Sequence, residues 1–99
     1  MTQTSKEVQG DFTLRLPKDR SRTQFYTIQL RDIDEPTYIA AAKLIAQQKE
    51  VEVIKFLIQN LWVGGDPWKD VVNNFIAVRS ASEPMLEILN PATGELKKN

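Results

Sequence analysis

A short acidic cluster is the part of the chain that comes nearest to a chemical site. Asp32, Asp34 and Glu35 lie close together, and three carboxylates can bind Mg²⁺. Such sites normally share the ion with a substrate phosphate, yet the Gly64–Asp66 segment is too short to form a phosphate-binding loop. Acidic residues are also expected where a helix begins, because they satisfy its free amide groups. We therefore interpret the cluster as a helix start.

The composition offers few groups for catalysis. The 99 residues include no His and no Cys, so the chain lacks an imidazole base, a thiol nucleophile and the usual ligands of zinc. The serines do not have the spacing of a nucleophile elbow. We therefore expect a protein that is not an enzyme and that binds no cofactor and no metal.

Charge is balanced overall but unevenly distributed. The 13 basic residues match 13 acidic ones, so no bulk charge favours nucleic acid or membranes. A basic patch is nevertheless predicted around the first polar loop, formed by Arg15, Lys18, Arg20, Arg22 and Arg31. Basic side chains can contact phosphates. No aromatic residues interleave with this loop and no groove-reading motif follows, so we expect a solvated loop and treat nucleic-acid binding as an alternative.

The spacing of apolar residues predicts an α+β fold, with an N-terminal β-hairpin followed by a compact bundle of three to four α-helices. One domain is expected over residues 11–91, with the hairpin at 11–30. The segments 1–10 and 92–99 are polar, and we expect both to be flexible. The first ten residues lack the apolar core of a signal peptide, and no segment is apolar enough to cross a bilayer, so we expect a cytoplasmic protein.

Helices are predicted at about 35–48, 50–63, 67–80 and 83–89. Asp34 is the expected N-cap of the first helix. Pro84 either begins a separate fourth helix or kinks a longer one. The side chains expected to share the core face of the first helix are Tyr38, Ile39, Ala42, Ile45 and Ala46.

The second predicted helix carries more apolar residues than a single buried stripe requires, since Phe56 and Val63 fall outside its main apolar arc. A central helix buried on most sides accounts for this surplus. Alternatively, a groove for an apolar helical segment of a partner protein is formed by Phe56, Trp62, Val63 and Trp68. A two-stranded hairpin is marginal alone, so one of its edges could also pair with a second copy in a homo-oligomer.

The layout resembles the small tail assembly chaperones of tailed bacteriophages and prophages. The segment Tyr26–Pro36 leading into Tyr38–Ile45, together with the helical region Val51–Leu89, carries the resemblance, which covers most of the chain. The resemblance implies a non-enzymatic protein that binds the tape measure protein during tail assembly and shields its hydrophobic surface, often as an oligomer. It assigns no residue a role by position. The alternatives are a nucleic-acid-binding accessory domain and a structural subunit of a homo-oligomer.

Overall fold

The computed structural model describes residues 9–90, which form an antiparallel sheet and five helices. In chain order the elements are β1 (Phe12–Pro17), β2 (Phe25–Leu30), α1 (Glu35–Ala46), α2 (Glu50–Leu61), β3 (Trp62–Gly65), α3 (Trp68–Val72), α4 (Phe75–Ser80) and α5 (Ser82–Leu89). The predicted α+β class, with a hairpin preceding the helices, is confirmed. The segments predicted to be flexible lie outside the described residues, except for the last two positions of 1–10.

The hairpin has the alternation that its sequence predicts. β1 and β2 pair in register from Phe12 opposite Leu30 to Pro17 opposite Phe25. Every second side chain points to the helices, so one sheet face is buried and the other is polar. The buried positions are Leu14, Leu16, Ile28 and Leu30.

The third strand, β3, was not predicted from the sequence. It pairs antiparallel with β2, which gives the sheet order β1-β2-β3. The predicted second helix over 50–63 is therefore two residues too long, since α2 ends at Leu61 and Trp62 already has an extended backbone with ψ 130°. Residues beyond Leu61 form ladder hydrogen bonds with β2 instead of prolonging the helix.

The predicted single helix at 67–80 is wrong, because two asparagines divide it into α3 and α4. The Asn74 side chain accepts hydrogen bonds from the amides of Ile76 and Ala77, and so it caps α4. Its Nδ2 also donates to the Lys18 carbonyl at 2.8 Å, which ties the cap to the hairpin loop. Pro84 lies in the first turn of α5, so the interpretation of a separate helix is confirmed.

The core is organised around α2, which packs against α1, α3, α4 and α5. One side of α2 is fully covered, through Val53, Ile54, Leu57, Ile58 and Leu61. α2 is therefore central in its contacts, but it is buried on one side and not on most sides as predicted. Within residues 9–90, no helix has both the length and the apolar character needed to cross a bilayer.

The start of α1 has the cap that the sequence predicts. Asp34 Oδ1 accepts a hydrogen bond from the Thr37 amide at 3.0 Å, and Asp34 Oδ2 lies 3.3 Å from Arg31 Nη1. The hydrogen bonds with Thr37, assisted by the Arg31 charge, lower the pKa of the Asp34 carboxyl. The acidic cluster is therefore a helix start at this position.

We expect Asp34→Ala to lower the urea midpoint of unfolding near neutral pH, because the Thr37 amide loses its acceptor. The folded-state pKa of Asp34 is depressed, so the stabilisation is present above the unfolded-state pKa and is lost as pH falls through the folded-state pKa. The difference from wild type should shrink in acid, at about pH 3. The Asp34→Asn variant keeps an acceptor and is the control. An equal midpoint difference at both pH values would contradict this assignment.

Candidate functional site

An open apolar groove lies between α1 and α2. Its volume is about 590 Å³, and it is open to solvent. Only one charged residue, Lys43, contributes to its lining. The lining residues are Pro36, Ile39, Ala40, Lys43 and Leu44 from α1 and Phe56 from α2.

The groove follows from the way α1 docks on α2. The buried side chains of α1 are the small Thr37 and Ala41, with Leu44 half-buried beside them. Small side chains let the helices approach closely, and the next side of α1, with Ile39 and Lys43, then borders the open groove. Phe56 is half-buried on the facing side of α2. The two helices therefore present an apolar floor flanked by one cation.

The four residues predicted to line a single groove are not brought together in this one. Phe56 contributes to it, but Trp62, Val63 and Trp68 do not. Val63 is half-buried in β3, while Trp62 and Trp68 are half-buried against the core. The Trp62 indole N–H donates to the carbonyl of Asp66 at 2.8 Å, a contact that holds the turn after β3. Phe56 therefore lines its groove together with residues of α1, and not with the other three predicted residues.

α1 exposes an apolar surface that its sequence pattern did not predict. Tyr38, Ile39 and Ile45, which were predicted to face the core, are 46%, 49% and 45% exposed. The prediction of this core face is wrong because α1 packs through its other side, at Thr37 and Ala41. Apolar residues surround most of this helix, so periodicity alone does not select the buried side.

The basic patch divides between the two ends of the hairpin. Arg20 and Arg22 lie in the loop between β1 and β2. Lys18 is also at that end, with its ammonium group 5.0 Å from the centre of the Tyr26 ring. Arg15 lies on β1, with its guanidinium 3.8 Å from the centre of the Phe25 ring.

Arg31 follows the opposite end of β2, about 20 Å from the loop by the rise of a six-residue strand. Its Nη2 donates to the Asn60 carbonyl at 3.0 Å, and its backbone amide donates to the Leu61 carbonyl at 2.8 Å. These bonds satisfy carbonyls at the C-terminus of α2. Arg31 therefore joins the sheet to α2 and lies apart from the loop cations.

Across residues 9–90, no group of three or more His, Cys, Asp or Glu side chains is arranged to hold a metal ion. Two members of the acidic cluster bind backbone groups: Asp32 Oδ1 accepts from the Ile33 amide at 2.8 Å, and Asp34 caps α1. Both exposed sides of α1 offer apolar contact area.

Comparison with models of protein families, with curated proteins and with solved structures gave no match. The resemblance to tail assembly chaperones therefore stays a prediction. The features of the molecule that bear on function are the groove and the apolar residues that α1 exposes.

Proposed function

We propose that the protein is a non-enzymatic binding protein that holds an apolar helical segment of a partner protein in the groove between α1 and α2. The observation that carries this proposal is the groove itself, with exposed Ile39 on one wall and half-buried Phe56 on the other. Soluble domains seldom leave contiguous apolar surface open to water unless a partner covers it.

A helix suits the dimensions of this groove. Along α1 the lining runs from Pro36 to Leu44, about 12 Å at 1.5 Å per residue, and α2 contributes Phe56 on the facing side. An amphipathic helix laid along it would present apolar side chains at i, i+3 or i+4, and i+7 to the floor. Lys43 at the border favours a partner helix with an acidic residue beside its apolar stripe.

The resemblance of layout supports a more specific assignment. Tail assembly chaperones bind the tape measure protein and shield its hydrophobic surface, and a groove for apolar helices suits that activity. We therefore propose a tape measure protein as the partner and the cytoplasm of a host cell as the place of action. No catalytic step, cofactor or metal is part of this proposal.

We expect Phe56→Asp to weaken binding of a helical peptide at least about tenfold, because an apolar contact central to an interface contributes about 2 kcal/mol or more. The probe is a fluorescein-labelled amphipathic helix with leucines at i, i+3, i+4 and i+7 and a flanking glutamate, followed by fluorescence anisotropy. Ile39→Asp tests the opposite wall at a side chain that is 49% exposed, so folding should be preserved.

The matched control is Leu86→Asp, which places the same charge at an exposed apolar position on α5. It should bind the peptide like wild type. A wild-type protein that does not bind the peptide would count against the proposed function. Equal affinity in wild type, Ile39→Asp and Phe56→Asp would show that the groove is not the site.

A further inference from the structure

We propose that α1 also forms a homodimer interface, at which a second copy of this chain docks its own α1 in antiparallel orientation. The surface is the outer face of α1, defined by Tyr38, Ala42, Ile45 and Ala46. This inference goes beyond the proposed function, because it assigns a different side of α1 and a different partner.

The outer face of α1 is exposed along its whole length. Tyr38 and Ile45 are nearly half exposed, and Ala42 and Ala46 are exposed as well. Spacings of three, four and seven residues place these four side chains on one side of the helix. The docking side toward α2 contains Thr37 and Ala41, so the outer face has no partner within the described chain. A contiguous apolar strip of this kind is a candidate interface.

The arrangement around Ala42 is self-complementary. Tyr38 precedes Ala42 by four residues, and Ala46 follows it by four. A two-fold axis through Ala42 therefore sets each Tyr38 against the partner's Ala46, a large side chain against a small one. Identical patches that complement each other are the requirement of a two-fold dimer.

Charge favours the antiparallel orientation. The N-terminal end of α1 has Asp34 and Glu35, whereas Lys43 and Lys49 lie toward its C-terminal end. Antiparallel pairing brings the acidic end of one helix to the basic end of the other, and it also aligns the helix dipoles favourably. A parallel pair would place like charges together. Ala42 at the crossing point lets the backbones approach closely, because its side chain is a single methyl group.

The size of the interface sets the strength we expect. Two helices of 12 residues bury less than about 1,000 Å² of total surface, which is typical of weak and reversible complexes. We therefore expect a dissociation constant of about 10–100 µM. The dimer should form at high concentration and separate on dilution.

Sedimentation equilibrium of the full chain, from about 1 µM to 1 mM, tests this inference. Wild type should shift from the monomer mass of 11.3 kDa toward twice that mass. Tyr38→Asp and Ile45→Asp should each raise the dissociation constant at least about tenfold, because they bury a charge against an apolar strip. Leu86→Asp should associate like wild type. Circular dichroism and urea unfolding verify that the variants are folded.

A cysteine placed at the proposed axis gives an independent measurement. The chain has no cysteine, so Ala42→Cys introduces a single thiol that would meet its symmetry mate. With an added oxidant, Ala42→Cys should form a disulfide-linked dimer several times faster than Leu86→Cys, which is the exposed control on α5. The inference is overturned by a wild-type protein that stays monomeric throughout, by a dimer that survives Tyr38→Asp, or by equal crosslinking rates. Each of these results leaves peptide binding in the groove to be judged by its own experiment.

Discussion

Replacing Gly65 with alanine is expected to lower the free energy of unfolding by about 2–4 kcal/mol. Gly65 ends β3 with a φ of +90°, a backbone conformation that residues with a side chain rarely adopt. A Cβ atom at this position would lie 2.5 Å from the Thr27 carbonyl oxygen and 2.8 Å from the Ile28 Cα. Both contacts are with backbone of β2, so no side-chain rotation can relieve them. The strands must separate or the turn must change.

The neighbouring glycine is the matched control. Gly64 lies in the same strand as Gly65 and pairs with Gln29 of β2, and its φ is outside the positive range that strains other residues. Alanine at Gly64 should therefore destabilise the protein much less than alanine at Gly65. Urea unfolding followed by tryptophan fluorescence measures both variants, with Trp62 in the same strand as a reporter. A Gly65→Ala variant within about 0.5 kcal/mol of wild type would contradict the geometry of β3.

Leu57→Ala should lower the free energy of unfolding by about 3–4 kcal/mol, because Leu57 is completely buried on α2, the helix against which α1, α3, α4 and α5 all pack. Removing its side chain leaves a cavity between α2 and its neighbours that rigid packing cannot close. A loss of this size is a large part of the total stability of a small domain, about 5–15 kcal/mol. Urea unfolding at a fixed protein concentration measures the change.

Leu86→Ala is the control for this substitution, since the same side chain is removed from a helix position that is 43% exposed. We expect it to cost less than about 1 kcal/mol. Equal effects of the two variants would mean that α2 is not the centre of the core.

Local sequence patterns predicted the elements that are stabilised by residues close to one another in the sequence. The alternation of Leu14 and Leu16 with polar residues predicts β1, and Asp34 followed by Pro36 predicts the start of α1. The signal for β3 is not local, because Trp62 and Val63 continue the apolar pattern of α2 and only pairing with β2 makes them extended. The break between α3 and α4 did have a signal, since Asn74 is a favourable N-cap.

The site could be predicted only in part. Phe56 was singled out because it falls outside the apolar arc of the second helix, and it does line a groove. Its companions in that groove come from α1, and the sequence gives no means of knowing which side of α1 docks. Small side chains at Thr37 and Ala41 form the contact, while the larger Tyr38 and Ile45 stay outside. α1 thus docks on α2 through the side whose small residues allow close approach, and not through the side with the larger apolar side chains.

The direct passage from α2 into β3 makes the two elements one cooperative unit. Leu61 ends the helix and Trp62 begins the strand with no residue between them. The backbone amide of Arg31, which directly follows β2, donates to the Leu61 carbonyl. This hydrogen bond joins the sheet to the last residue of α2. Peeling β3 from the sheet would consequently unwind the last turn of α2. Exchange of the protected amides at this junction should then require opening of the whole domain, leaving local fluctuations to segments farther from it.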